Sequence, residues 1–419
     1  MLKRIFYLFM LGLFSSPSYG LFAPPTDFND LNVRIITVDT GRDLIASVGH
    51  IVLRLTNTKT GDDTSLSWGT YSYPPHWYID FLSEPIMYWV DEVPVDALLM
   101  YYKSEKRSVF QNQLNLSVSQ KQKLFQLVTH RLEPEKKYYV YHYIYNNCAT
   151  IVRDLLNEAL HGQLAEHTRN KLANLTLRSH MREIFIDRPW ITFFLDLVSN
   201  SELERENNAW IEMFHPLMFY DHIQKIPQID DSGQVIPGTK LFAATEVLIQ
   251  GDRIPHTSNE LFPWIISIGT LFLCFGFFLK YKESKFYPSF LSFYSTLWGL
   301  FAGFFGLFFI WGWVFSRQTI LHHNVNLWIF WPTDFIFIFF GFRKYLRLFF
   351  RLYIQSHLLA LFIYLSLYAC GVFIQDVSNT AKFLCPLWIF YAFLLQNSLR
   401  KSIDETQQGS VNSMSDCPG

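Results

Sequence analysis

The sequence predicts an α+β domain followed by an all-α transmembrane bundle of about five helices, and three observations predict it. Half of the 419 residues are hydrophobic, 41 are Phe and only 17% are charged, well below the ~25% of soluble domains, so part of the chain is expected in lipid. Charge is divided unevenly: residues 21–260 carry 22 basic and 30 acidic side chains, while 261–419 carry 11 and 6. Finally, short alternating runs before residue 260 give way to long apolar runs after it. This composition excludes disorder and collagen-like repeats, and the acidic balance of the polar half argues against nucleic acid as a partner.

Taken in order, Lys3 and Arg4 precede an apolar run from Ile5 to Phe14, with Ser18 and Gly20 at the −3 and −1 positions of a cleavage site. That is a secretory signal peptide over residues 1–20. An exported domain is expected over 21–258. Within it, Val33–Val38 and Ile51–Leu55 are β-branched alternating runs, and the polar turn Thr58–Asp63 leads into Leu66–Tyr73, a candidate hairpin. Leu124, Leu127 and Val128 give Ser117–Arg131 helical spacing; Tyr138–Tyr145 is aromatic and alternating, hence a strand, and Asn147 opens a helix over Cys148–Leu160. Ile226–Gly238 is expected as a loop and Gly251–Asn259 as a linker.

Apolar stretches at 261–279, 287–315, 327–342, 352–374 and 383–395 approach or exceed the ~20 residues that cross a bilayer, the last being short. They define a transmembrane domain over 259–400 and a polar tail over 401–419. With the first domain exported, the inside segments hold nine basic residues (Lys280, Lys282, Lys285, Arg343, Lys344, Arg347, Arg351, Arg400, Lys401) and the outside ones two, Arg317 and Lys382. The positive-inside rule therefore predicts a multi-pass membrane protein with an exported domain and a cytoplasmic C-terminus.

Of five cysteines, only Cys148 falls in the first 260 residues, which excludes a disulfide framework there. Asn147-Cys148 puts its thiol at the first turn of a helix, where free amides and the helix dipole favour thiolate and can donate to an oxyanion, so a pKa lowered toward neutrality is expected. A thiolate nucleophile calls for an imidazole beside it. Gly49-His50 opens a strand where a small neighbour lets the ring face a cleft, whereas His142, nearer in sequence, lies mid-strand and is expected in packing or solvent.

Gly49-His50 on an early strand with Asn147-Cys148 on a later helix resembles the circularly permuted papain-like fold of lecithin:retinol acyltransferase and NlpC-type relatives. A closer resemblance is to the periplasmic domain of Lnb-type bacterial lipoprotein N-acyltransferases. It runs through Ser47-Val48-Gly49-His50-Ile51-Val52-Leu53-Arg54, Ser67-Trp68-Gly69-Thr70 and Gln113-Leu114-Asn115-Leu116. It continues through Tyr145-Asn146-Asn147-Cys148-Ala149-Thr150 with Arg153-Asp154, and Glu212-Met213-Phe214-His215-Pro216. In the membrane half, His322-His323-Asn324-Val325-Asn326-Leu327-Trp328 is similar to that family's His-plus-Asn element. Two positions depart: the family usually has Asp where Asn146 stands, and Asn-Tyr-Gly-Thr where this chain has Ser67-Trp68-Gly69-Thr70. The third catalytic member is left open, with Ser67 as a candidate.

The resemblance implies acyl transfer from a membrane phospholipid through a Cys148 thioester to the N-terminal α-amine of diacylated lipoproteins, with His50 as base, Asn147 and Asn146 as oxyanion or support residues, and no cofactor. His322, His323, Asn324 and Asn326, polar groups at an outer span boundary, are expected to meet substrate headgroup or lipid; helix capping is their bland alternative. Arg153-Asp154 reads as a fold-holding pair. Two further readings stand: an NlpC-type cysteine peptidase or amidase acting on cell-wall peptide, and a non-catalytic membrane assembly protein. The chain lacks Cys- and His-rich ligand spacings, so no metal is expected.

Overall fold

The structure, a computed structural model, describes residues 22–72, 74–252 and 261–415. The expected signal peptide, most of the expected linker and the last four residues lie outside them. In chain order the elements are β1 (Leu31–Val38), β2 (His50–Asn57), β3 (Asp63–Thr70), α1 (Trp77–Ser83), β4 (Met87–Pro94), α2 (Val95–Ser104), β5 (Val109–Leu114), α3 (Val118–Leu132) and β6 (Tyr138–Val140). There follow α4 (Cys148–Ala159), α5 (Gln163–Arg169), α6 (Leu177–Ile184), α7 (Pro189–Val198), α8 (Ala209–Glu212), α9 (Pro216–Ile223) and β7 (Phe242–Ile249). The apolar half holds α10 (Leu261–Tyr281), α11 (Tyr287–Val314), α12 (Arg347–Ala369) and α13 (Cys385–Ser415).

The chain forms two compact units: one gathers Met1–Pro75, Ile86–Asn174 and Asn207–Ile254, the other His76–Pro85, Leu175–Glu206 and Pro255–Gly419. The first is built on a seven-stranded antiparallel sheet in the order β6-β4-β3-β2-β1-β5-β7. The β2–β3 hairpin forms as its turn chemistry requires: Asn57 Oδ1 accepts from the Lys59 and Thr60 amides, and Gly61 takes a φ of 83°. β1 is an interior strand whose second half, Ile35–Val38, is buried on both faces. On one face Ile36, Val38, Val52 and Val109 pack with Leu98 and Tyr102 of α2. α4 is amphipathic and buries Ile151, Val152, Leu155 and Leu156.

One expected strand is shorter than its pattern. β6 stops at Val140, and His142 and Asn146 then exchange backbone hydrogen bonds of 3.0 Å across a tight turn. The His142 ring closes that turn, its Nδ1 accepting from the Ile144 and Tyr145 amides. Aromatic alternation here therefore reports ring stacking, such as Tyr141 on Tyr88 at 4.3 Å between centroids, rather than continued strand.

In the second unit the expected five spans are not borne out. Among the described residues, α11 and α12 are long and apolar enough to cross a membrane, and a third span results only if Thr319–Trp328 and Pro332–Phe342, bent by 40°, count as one. Apolarity does not ensure a continuous helix: Pro332 lacks an amide donor, and Pro332–Phe342 winds as 3-10 helix. Gly299, Gly303 and Gly306 let α11 lie directly against this segment, since a Cβ at Gly306 would stand 2.5 Å from the Pro332 nitrogen. Asp334 is fully buried and partnered, accepting from the Tyr353 hydroxyl at 2.8 Å with the His357 Nε2 at 2.7 Å.

Candidate functional site

The first unit brings His50, Ser67 and Cys148 to one end of its sheet. Gly49 precedes β2 with φ 85°, and a Cβ there would stand 2.9 Å from the Val38 carbonyl oxygen; this turn swings the chain into the strand so that His50 is its first residue. Ser67 pairs with Val52, which puts it on the same face as His50, and the His50 Nε2 lies 2.9 Å from the Ser67 Oγ. Past Ser67 the register of β3 shifts between Trp68 and Thr70. Gly69, at φ 154° inside that irregularity, would place a Cβ 3.0 Å from the His50 Cε1, so a bare backbone makes room for the ring.

Pairing of β2 with β3 ends at Val52–Ser67, and the Ile51 amide just beyond it favours the ionised form of the Cys148 Sγ. The amides of Cys148 and Ala149 at the start of α4 likewise favour the ionised form of the sulfur. The sulfur therefore meets the backbone one residue beyond His50, and both side chains are partly exposed.

Asn147 explains why α4 starts where it does. Its Oδ1 accepts from the Ala149 and Thr150 amides at 3.0 Å each, and its own N–H donates to the Thr150 Oγ1 at 2.7 Å, a complete capping box. Its Nδ2 donates to the carbonyls of Tyr143 at 2.9 Å and Phe214 at 3.0 Å. With both amide hydrogens committed, Asn147 anchors the helix start and has no side-chain donor left for an oxyanion. Asn146 likewise donates its Nδ2 to the Val140 carbonyl at 2.7 Å. The Glu212–Pro216 stretch is the brace on the other side: Phe214 receives Asn147, and Pro216 lies against Gly49.

Electrostatics run against one expectation. Burial pushes the Cys148 thiol up to about 11, and the amides of Ile51, Ala149 and Cys148 with the charge of Arg107 only partly offset it. Burial, then the charge of Arg107, pulls the His50 imidazole down to about 3. At neutral pH the resting pair is thus thiol and neutral imidazole; the helix start does not bring the thiol toward neutrality, because desolvation outweighs it. Nε2 is the ring nitrogen that meets Ser67.

The polar residues of the apolar half sit in the second unit. Asn324 caps the turn Val325–Trp328 and donates its Nδ2 to the carbonyls of Leu197 at 3.0 Å and Val198 at 2.8 Å. Asn326, fully buried, donates to the Leu197 carbonyl at 2.8 Å and accepts from the Tyr364 hydroxyl at 2.7 Å. The His322 ring contacts the Ser316 carbonyl at 2.8 Å through Nε2. His323 is exposed, with φ 49°, its ring 4.7 Å from that of Trp313. Arg153 and Asp154 pair at 2.8 Å, and the guanidinium stacks over Trp210 at 4.0 Å, a fold-holding arrangement.

One charged residue of the site carried no sequence signal. Arg107, in the polar run Lys103–Ser108, is 6% exposed, and its charge acts on both His50 and Cys148.

Residues 25–183 match the family model described as the Lnb N-terminal periplasmic domain. No curated protein and no solved structure gave a significant match to the chain. Residues 25–183 are thus similar to an Lnb N-terminal periplasmic domain.

Proposed function

We propose that this protein is a lipoprotein N-acyltransferase that works through a thioester on Cys148. The observation that carries the reading is the placement of His50, 2.9 Å from Ser67 Oγ, one residue before Ile51, whose amide acts on the Cys148 sulfur. The similarity to an Lnb periplasmic domain and the apolar helices α11 and α12 support it, since both substrates would be anchored in lipid.

In the first half-reaction the Cys148 sulfur attacks an ester carbonyl of a membrane phospholipid while His50 takes the thiol proton. The tetrahedral intermediate collapses, the carbon–oxygen ester bond breaks, and His50 returns the proton to the departing lysophospholipid oxygen. In the second, the α-amine of a diacylated lipoprotein's terminal cysteine attacks the thioester. His50 accepts the amine's proton and delivers it to the leaving sulfur, so the thiol is regenerated and an amide is formed. Because the resting pair is neutral, anionic charge must be created during attack rather than stored beforehand. Asn147 and Asn146 support this geometry by fixing the helix start, and the oxyanion donors nearest the sulfur are the backbone amides. A headgroup contact, in this reading, falls to His323, the exposed member of the His322–Asn326 group. A permuted papain-like arrangement, an inner-membrane location and a cytoplasmic C-terminus complete the proposal, the last resting on the nine-to-two distribution of basic residues.

The test is mass spectrometry of a lipoprotein N-terminus in a host lacking its own N-acyltransferase. A third acyl chain is expected with the native protein and only two with Cys148→Ala. Retained triacylation in that variant removes Cys148 from the chemistry, and cleavage of cell-wall peptide without acylation points instead to an amidase.

A further inference from the structure

Arg107 is held in an unusual way for a buried cation. Lys106, just before it, takes a φ of 57°, and Gly251 fits so closely that a Cβ there would stand 2.4 Å from the backbone of Lys106, Arg107 and Ser108. The Arg107 N–H donates to the Tyr102 carbonyl at 3.1 Å, its Nε donates to the Asp39 carbonyl at 2.8 Å, and its guanidinium lies 5.1 Å from the Tyr102 ring centre. Yet Nη2 is buried without a hydrogen-bond partner, and among the described residues no carboxylate forms an ion pair with this side chain. The charges of Asp39 and Glu105 act on it without pairing with it, and a buried charge that lacks an ion pair is destabilising and calls for an explanation.

Its place in the sheet supplies one. Val38 pairs with both His50 and Val109, and the Asp39 N–H donates to the Ser108 carbonyl, so the end of β1 lies between the starts of β2 and β5. Arg107 stands two residues before Val109, at the same end of the sheet as His50 and the sulfur on which the Ile51 amide acts. No other group described in the site carries a positive charge at rest. The reaction, however, creates negative charge first at sulfur and then at the carbonyl oxygen.

We propose that Arg107 is the charge-balancing residue of this site, its idle guanidinium stabilising the anion that forms on Cys148 and passes to the substrate's carbonyl oxygen. The sulfur half of this claim is independent of the substrate; the oxygen half rests on the acyl-transfer reading. The other titratable neighbours of the sulfur are His50, neutral at rest, and Tyr139, whose buried hydroxyl burial keeps protonated far above the usual phenol range. Neither supplies a cation.

The test uses the full-length protein in phospholipid nanodiscs. The rate of iodoacetamide alkylation is followed on the Cys148 peptide against pH for the native protein and for Arg107→Lys, Arg107→Gln and Arg107→Met. Loss of the charge in Gln and Met is expected to move the alkylation midpoint up by about one pH unit or more and to slow alkylation about tenfold at fixed pH, whereas Lys stays close to native. Acyl-enzyme formation from phosphatidylethanolamine is expected to fall about a hundredfold in Gln and Met. Thermal unfolding selects the variants that fold, and Gln, which keeps donors without charge, stands in if Met does not. An unchanged alkylation profile in the folded Gln or Met variant overturns the proposal. Should native protein gain no acyl mass while alkylation still depends on Arg107, the acyl-transfer reading falls and the effect on sulfur stands.

Discussion

The turn at Asn147 and the turn at Asn324 are built alike and differ in what they hold. In both, an asparagine caps a helical turn with Oδ1 and donates Nδ2 to carbonyls of a distant segment, Phe214 in one case and Leu197 with Val198 in the other. The residue after Asn147 is a cysteine facing a strand amide; the residue after Asn324 is a valine, and Asn326 beyond it is committed to Leu197 and Tyr364. Asparagine is thus the anchoring device in each unit, and chemistry depends on what the anchored backbone presents. A polar motif in an apolar sequence marks a place that must be held still, which is a different matter from a place that reacts.

The comparison can be broken from several directions. The largest effect belongs to Cys148→Ala, expected to lower N-acylation by about a thousandfold or more while leaving the unfolding transition of the first unit in place. Asn147→Ala comes next: it removes a cap and leaves the Tyr143 and Phe214 carbonyls without donors, for about 2–4 kcal/mol of lost stability. It should slow acylation about a hundredfold, because the helix start that carries the sulfur is no longer fixed. Asn326→Ala, its counterpart, should destabilise by about 1–3 kcal/mol yet leave the rate of Cys148 alkylation at the native value. Slower alkylation in that variant would mean that the two anchors are not separable. Ser67→Ala and Gly69→Ala are each expected to reduce acylation about tenfold, the first by releasing the His50 ring and the second by displacing it, with little change in unfolding midpoint.

A separate expectation concerns stability against pH. His50 is held near 3 in the folded protein, below its unfolded value of about 6.5. Between those values the unfolded chain binds the extra proton, so this contribution is present above pH about 6.5 and is lost as pH falls toward 3. For Cys148, raised to about 11, the native state keeps its proton longer, and stability declines as pH rises from about 8.5 to 11. His50→Gln should flatten the acid side of the profile and Cys148→Ala the alkaline side, both read from unfolding midpoints.

Much of this site is legible along the chain. Gly-His at a strand start, Asn-Cys at a helix start and a serine on the returning strand are local signals, and the sheet places all three together because neighbouring strands put them there. Arg107 is not legible, since Lys103–Ser108 reads as an exposed polar run and only the pressure of Gly251 and the Tyr102 ring buries it. β4 and β5 are equally quiet: Asp91, Glu92, Gln111, Asn112 and Gln113 obscure their alternation, although the sheet makes use of those side chains, as where Asn112 donates to the Ala243 carbonyl at 3.0 Å. The five expected spans fail for the opposite reason. Apolar length was read as helix, and the Trp331–Pro332 step shows that a lipid-compatible composition does not specify continuous winding.

The raised pKa of the Cys148 thiol has a consequence for survival of the protein. At pH 7 a thiol of pKa about 11 is ionised to about one part in ten thousand. Peroxide, low-molecular-weight disulfides and stray protein thiols all react through the ionised form, so each finds almost nothing to attack. In the acyl-transfer reading, a sulfur so protonated is withheld from oxidants until a lipid ester and a neighbouring base coincide.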